Sequence, residues 1–242
     1  MKLGLLGYGK MGREIEAVAK SRSHSVAAIA DIDRKLADEQ KNFLSADVLI
    51  DFSVPSAVIE HLSFASGLKK PIVIGTTGWY SEIERARKIV EDSGIAAVIG
   101  SNFSIGVNLF ISAVERVSNL FGRYRDFDCA VLESHHNQKA DAPSGTAITI
   151  GNAVLQNFPS KKKIRTGIPQ GKIGEDELQV NSIRIGKEFG THSVIFDSEY
   201  DRIELTHVSR GRRGFALGAI MAAEWAVGKN GFYQFREILE RL

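Results

Sequence analysis

Cysteine is almost absent from this chain of 242 residues, and Cys129 stands alone. A single thiol excludes an intramolecular disulfide framework and fits a reducing compartment. No apolar run approaches membrane-spanning length. The longest, Gly214–Ala223, has ten residues, against the roughly 20 that a helix needs to cross a bilayer. Leu3–Gly9 is apolar, but no small-residue cleavage site follows it, so it reads as a first strand rather than a secretory leader. Charge of one sign is also lacking: 31 basic and 29 acidic residues leave a formal net charge of +2. The run Lys161–Lys163 reads as a solvated loop, and nucleic-acid binding as the main role is disfavoured. Repeats and low-complexity segments are missing. What remains is an ordinary globular composition, 43% hydrophobic and 25% charged, with mean hydropathy near zero. It points to a soluble cytoplasmic protein with no membrane part and enough chain for one large or two small domains.

Two textures alternate through the first hundred residues. Leu3–Leu6, Ser25–Ala30, Val48–Ile50, Pro71–Ile74 and Ile95–Ile99 are apolar throughout, as strands buried on both faces are. Between them, Met11, Ile15, Val18 and Ala19 recur at helical spacing. Pro55 sits near the start of a helix through Ala65, which Gly67 closes. Ser81 and Glu84 have the spacing of a capping box for a helix through Val90. This predicts an α/β fold: an N-terminal Rossmann dinucleotide-binding domain over 1–104. After Ser101 the rhythm changes. Ile105–Leu120 and Ser144–Phe158 read as helices, and Phe127–Glu133 as a strand running into two histidines. Residues 159–176, with Pro159, Pro169, three glycines and five lysines or arginines, look like a mobile loop. Val180–Ile185, Thr191–Phe196 and Arg202–Thr206 alternate like strands of a mostly antiparallel sheet. That predicts a second α+β domain over 105–213, followed by helices at Phe215–Val227 and Phe232–Leu239 within 214–242.

The first candidate site is Gly7-Tyr8-Gly9-Lys10-Met11-Gly12, a G-x-G-x-x-G. Alone the pattern is a common glycine turn, but this one follows a strand and opens a helix. Asp31 ends the second strand 19 residues after Gly12. In that context the glycines allow a tight turn and a close approach of backbone to a pyrophosphate. The helix N-terminus offers free N–H groups and the positive end of its dipole. Asp31 can accept hydrogen bonds from both hydroxyls of an adenosine ribose. Gly75-Thr76-Thr77-Gly78 and Ser101-Asn102-Phe103-Ser104 follow the fourth and fifth strands, where ligands of open parallel sheets bind.

The second candidate site is the segment Glu133–Ala147. His135 and His136 sit together at a strand end, and Lys139 follows closely. Such a cluster of proton donors suits acid–base work or an anionic substrate. Pro143-Ser144-Gly145-Thr146 then opens a helix with Ser144 placed as its cap, which makes a second anion site of backbone N–H groups. Metal binding is the rival reading. No H-E-x-x-H and no cysteine pair supports it, so no metal is expected.

The string His-His-x-x-Lys-x-Asp-Ala-Pro-Ser-Gly-Thr-Ala closely resembles the signature of the dihydrodipicolinate reductase family. The likeness continues in the glycine loop, Gly75–Gly78, Ser101–Gly106, Arg184–Gly186, Gly190–Val194 and Glu204–His207. It extends to Arg212, Phe215-Ala216 and Gly218-Ala219, and so covers nearly the whole chain. The resemblance implies an NADH- or NADPH-dependent oxidoreductase of diaminopimelate and lysine biosynthesis. Its substrate is a small cyclic imine dicarboxylate. His135 and Lys139 match the family's catalytic positions. His136, Ser144, Gly145, Thr146 and Arg212 match its substrate contacts. Gly7–Gly12, Asp31, Gly75–Thr77 and Ser101–Ser104 match its cofactor contacts. The resemblance also implies that the C-terminal helices rejoin the nucleotide domain and that the middle domain's sheet builds a homotetramer. At the ribose loop the chain departs from many relatives. Ile32 stands where they have an arginine, followed by Asp33, Arg34 and Lys35, which bears on the choice between NADH and NADPH. A two-domain amino-acid dehydrogenase of the aspartate dehydrogenase type, or a non-catalytic NAD(H)-binding regulator, are the alternatives. Lys139–Thr146 favours the reductase.

Overall fold

Strands with no polar face need cover on both sides, and the computed structural model, which describes residues 1–239 and 241, supplies it. The chain begins β1 (Lys2–Leu6), α1 (Lys10–Ser21), β2 (Ser25–Ala30), α2 (Gln40–Leu44), β3 (Val48–Asp51), α3 (Val58–Gly67), β4 (Ile72–Ile74), α4 (Ile83–Ser93) and β5 (Ala96–Ile99). It continues as α5 (Ile105–Phe121), β6 (Asp128–His135), α6 (Gly145–Asn157), β7 (Lys163–Thr166), β8 (Glu177–Arg184), β9 (Thr191–Asp197) and β10 (Arg202–Val208). It ends with α7 (Arg213–Ala226), β11 (Gly231–Gln234) and α8 (Phe235–Leu239). These elements form two compact units, Met1–Ile105 with the segment from Arg212 onward, and Gly106–Gly211. Among the described residues no helix is long and apolar enough to cross a membrane.

The first unit is built on a six-stranded sheet in the order β11-β5-β4-β3-β1-β2, with every pair parallel. Alternate residues feed opposite cores. Leu5, Val73 and Val98 pack with Ile15, Val18 and the alanines of α7. Leu6, Ile72, Ala97 and Ile99 pack with Phe43, Leu62 and Val90 on the other face. The chain places β2 on one side of β1 and then crosses to β3 on the other, so a crevice opens beyond the carboxyl ends of β1 and β3. Gly7 and Asp51–Ser53 lie there.

Several local expectations change. The Ser81–Glu84 capping box does not form. Buried Trp79 donates its indole N–H to the Thr76 carbonyl at 2.8 Å and stacks on Tyr80. This winds Tyr80–Glu82 into a 3-10 turn and delays α4 past Ser81, with Glu82 as an N-cap that makes no side-chain cap bond. Helix α3 runs through Gly67, two residues past Ala65, and the left-handed residue beyond it is Lys69, φ +55°. The helix expected over Phe232–Leu239 is half strand. The open edge of β5 pairs with Gly231–Gln234, and only Phe235–Leu239 is helical. Tertiary pairing here overrides a pattern that aromatic residues leave ambiguous.

In the second unit the sheet order is β10-β9-β6-β8-β7. It is not mostly antiparallel: β10/β9 and β9/β6 are antiparallel, while β6/β8 and β8/β7 are parallel. Strand β7 lies inside the stretch read as a mobile loop. Its charged residues are paired across the ladder, Arg165 with Glu177 at 2.8 Å and Lys163 with Asp176 at 3.4 Å. Lys161, almost fully buried, ties the same stretch to Asp128 and to the Glu175 carbonyl. Helices α5 and α6 supply Val107, Ile111, Val114, Ile150 and Val154 to a core shared with Val131, Val180, Val194 and Phe196.

Candidate active site

In the first unit, two glycines of the loop are held by close backbone and the third is open. Gly7 has φ +92°, and a Cβ there would lie 2.4 Å from the Phe52 carbonyl oxygen. A Cβ on Gly12 would lie 2.5 Å from the Gly7 carbonyl oxygen, whereas one on Gly9 would meet nothing within 4 Å. The open side at Gly9 is where a ligand can approach the backbone. Gly9 is also the N-cap of α1 and makes no side-chain cap bond, which leaves first-turn N–H groups to an anion. These features fit a dinucleotide. Lys10 is exposed and Met11 half-buried. The Tyr8 hydroxyl donates to Glu16, and the Arg13 guanidinium lies over the Tyr8 ring. Asp31 and Arg34 exchange backbone hydrogen bonds of 2.9 and 3.0 Å, a tight turn that leaves Ile32 93% exposed.

The turns after β4 and β5 are bound inward. The Thr76 hydroxyl donates to Asp51 at 2.7 Å and accepts the Ser53 N–H at 2.8 Å. Asp51 is fully buried and also faces His61 Nδ1 at 2.8 Å. A Cβ on Gly75 would strike the Phe52 ring. Asn102 accepts the Ser104 N–H at 2.8 Å, and the buried Phe103 ring packs on Phe52 and Phe235. That leaves the backbone of Thr76 and Phe103, rather than their side chains, available to any ligand at these turns. Asp51 ends the third strand and His61 lies on α3, and only the fold brings them together.

In the second unit, strand alternation builds the site. On β6 the inward face reads Cys129, Val131, Glu133, His135; on β8, Leu178, Val180, then half-buried Ser182 and Arg184; on β9, Phe196, Val194, His192. Register aligns Glu133 with Ser182 and His192, and His135 with Arg184. The apolar face thus becomes polar at one end of the sheet, beside the N-terminus of α6. Glu133 accepts from the Ser144 N–H at 3.1 Å and from Arg184 Nη2 at 2.9 Å. Burial alone pushes its carboxyl up, but the polar hydrogens that Ser144, Ser182 and Arg184 turn toward it outweigh burial and hold it at about 2. His135 and His192 stand edge to face, 5.2 Å apart. Burial lowers both, His192 to about 4, so both imidazoles are neutral near pH 7.

The loop after β6 carries the rest. His136 donates its N–H to the Glu188 carbonyl at 2.7 Å. Arg184 also donates to the Asp141 carbonyl at 2.6 Å, stitching the loop to the sheet. Ser144 is the N-cap of α6 and accepts the Ala147 N–H at 3.1 Å. Gly145 is exposed and Thr146 half-buried in the first turn. Lys139 holds the Asp141 carboxylate at 2.7 Å. That ammonium first, with help from the Gly145 N–H, lowers the Asp141 carboxyl. The site therefore holds a carboxylate already, one of its own. Arg212 belongs to the other unit, where it is the N-cap of α7. Glu133, His135, Arg184 and His192 share one cluster, and among the described residues Glu133, His135 and His192 offer ligand atoms within 4.8 Å of one another that could hold a metal. Arg184 on the same carboxylate works against a cation there.

A parallel six-stranded sheet with a glycine-loop crevice, and a second unit with a buried carboxylate–histidine cluster, are the parts of a two-domain NAD(P)H-dependent oxidoreductase. The family model described as dihydrodipicolinate reductase, N-terminus, matches residues 1–103, and that for the C-terminus matches 106–239. The chain belongs to the dihydrodipicolinate reductase family. It is 37% identical over 242 residues to the 4-hydroxy-tetrahydrodipicolinate reductase of Christiangramia forsetii, covering 100% of this chain and 99% of that protein. It is 36% identical over 247 aligned positions to the enzyme of the same name from Clostridium novyi, covering 96% and 95%. The fold matches a dipicolinate-bound dihydrodipicolinate reductase from Paenisporosarcina sp. TG-14 with TM-score 0.78 and 22% identity, over 98% of this chain and 99% of that one.

Proposed function

We propose that the protein reduces 4-hydroxy-tetrahydrodipicolinate to tetrahydrodipicolinate with NADH or NADPH, a step of diaminopimelate and lysine biosynthesis. The observation that carries this reading is the carboxylate held by Lys139 and the start of α6 beside a neutral, buried histidine. A dicarboxylate substrate places one of its carboxylates where Asp141 now lies, against Lys139 and the N–H groups of Gly145 and Thr146. His136, Ser144 and Arg212 complete its binding. His135 and Lys139 are the catalytic pair that handles the proton gained by the reduced ring. When bound, the reduced nicotinamide supplies the hydride.

Gly7–Gly12 hold the pyrophosphate, Asp31 the ribose, and Gly75–Thr77 with Ser101–Ser104 the nicotinamide end. The first unit, Met1–Ile105 with the segment from Arg212 onward, is then the cofactor domain, and Gly106–Gly211 the substrate domain. The second unit also exposes Ile183, Ile185 and Val208, which supports burial of its sheet in a homotetramer. The single buried thiol of Cys129 supports a cytoplasmic location. The deciding experiment follows NADH oxidation with freshly generated 4-hydroxy-tetrahydrodipicolinate. Turnover is expected, and its absence in folded, NADH-binding protein refutes the proposal.

A further inference from the structure

Glu133 takes no part in the roles above, yet it is the most enclosed charge of the site, 1% exposed. An ionised carboxylate is costly to bury and needs donors on both oxygens. Oε1 has Ser144 and Arg184. Oε2 stands 2.8 Å from His135 Nδ1 and 3.8 Å from His192 Nε2. The approach of His135 is bent from the ideal hydrogen-bond direction, so neither Oε2 nor that Nδ1 makes a full hydrogen bond; the Ser182 hydroxyl also faces this carboxylate, but Nδ1 has no other partner among the described residues, and buried polar atoms are paired. A carboxylate cannot donate, so Nδ1 carries the hydrogen, and in a neutral ring Nε2 is then the acceptor. Nε2 points at Gly190, where a Cβ would sit 2.6 Å away. Gly190 has φ +148°, a conformation side chains resist. The missing side chain keeps that nitrogen uncovered.

Resting on the reading of His135 as catalytic, we infer that Glu133 is a positioning residue that keeps the imidazole hydrogen on Nδ1 and presents Nε2 as the nitrogen that exchanges a proton with the substrate. Uptake of a solvent proton at Nε2 gives an imidazolium whose Nδ1–H faces Glu133. Transfer of the Nε2 proton to the ring atom that has gained the electron pair returns the neutral Nδ1–H form. Glu133 also opposes the forces that keep His135 neutral. Burial lowers this histidine most, and Lys139 in the loop and Arg184 on β8 lower it further, while Glu133 and Asp141 raise it. His192 on β9 and Glu188 also face it. Removing the Glu133 charge therefore lowers His135 further, and activity that needs its protonated form is lost at lower pH.

The test compares Glu133→Gln, Glu133→Asp and His135→Gln with wild type, using pH–rate profiles and 15N NMR of the histidine nitrogens. NADH binding and circular dichroism report on folding. Wild-type His135 should be protonated on Nδ1. In Glu133→Gln the tautomers should mix, kcat should fall about 10²-fold or more with KM little changed, and the alkaline limb should move to lower pH. Glu133→Asp should restore part of kcat and the limb. An Nε2-protonated His135 in the wild type overturns the inference whatever the variants do. So does an unaltered Glu133→Gln profile when His135→Gln is inactive. Full turnover in His135→Gln instead removes His135 from the reaction, and the positioning role falls with it.

Discussion

Asp141 lies where a substrate carboxylate is proposed to bind, so its replacement by asparagine tests the arrangement directly. The Lys139–Asp141 contact is 2.7 Å, with the aspartate side chain 58% exposed and the lysine 24%. For a pair this open to solvent, about 0.2–1 kcal/mol is the appropriate range. The substrate must displace that contact, so removing it should strengthen substrate binding by the same amount. With RT near 0.6 kcal/mol, that corresponds to a KM lowered by roughly 1.4- to 5-fold. Turnover should change little, because Lys139 stays in place. The same pair weakens as pH falls: the lowered Asp141 carboxyl contributes above its unfolded-state value and loses that contribution as pH drops through its folded one. Wild-type KM should therefore approach that of Asp141→Asn in acid, once protonation of the substrate is allowed for. The assay is initial-rate NADH oxidation against substrate concentration for both proteins. A raised KM, or a kcat reduced tenfold or more, a loss of about 1.4 kcal/mol, would mean that Asp141 organises Lys139 rather than competing for it.

Lys139→Ala should lower kcat by about 10²–10⁴-fold and leave NADH binding, measured by fluorescence, unaltered, because the glycine loop lies in the other unit; full activity removes Lys139 from the mechanism. Arg212→Ala should mainly raise KM, since a guanidinium binds a carboxylate through two parallel hydrogen bonds. An unchanged KM in the triple alanine variant of Arg210, Arg212 and Arg213 refutes that role. The wild type should use NADH at least as well as NADPH, judged by kcat/KM, and Asp31→Ala should shift toward NADPH. A wild-type NADPH preference above about tenfold, 1.4 kcal/mol, would show that Lys10, Arg34 and Lys35 dominate the ribose site. Dialysis against a strong chelator should leave turnover intact, and a loss restored by a divalent metal would make Glu133, His135 and His192 a metal centre.

Elements whose signal is local were legible in the chain. The strands of the first sheet are apolar runs, the glycine loop announces itself by spacing, and Ser144 caps α6 as its position predicts. Elements decided by a distant partner were not. Gly231–Gln234 is a strand because the edge of β5 is open to it, and β7 because its charges meet Glu177 and Asp176 across a ladder. The same holds within the candidate site. Glu133–Ala147 stands out as one cluster, but Arg184 and His192 lie far along the chain from Glu133 and meet it only through strand pairing. The available signal was period-two alternation. On β6, β8 and β9 the apolar series gives way to polar residues on the same face, and matching those ends by register would have assembled the group.

The sixth strand of the N-terminal sheet has a consequence for the order of synthesis. Met1–Ile105 emerges from the ribosome before the rest of its unit, yet β11 pairs with β5 and α7 covers Leu5, Val73 and Val98 only once Arg213–Gln234 has been made. The unit inserted between them, Gly106–Gly211, starts later and is complete sooner. At about 5–20 residues per second, the nascent β5 edge and one apolar sheet face wait on the order of ten seconds for their cover. During that interval the β5 edge lacks its neighbouring strand, and a chain cut short before Gly231 never acquires it.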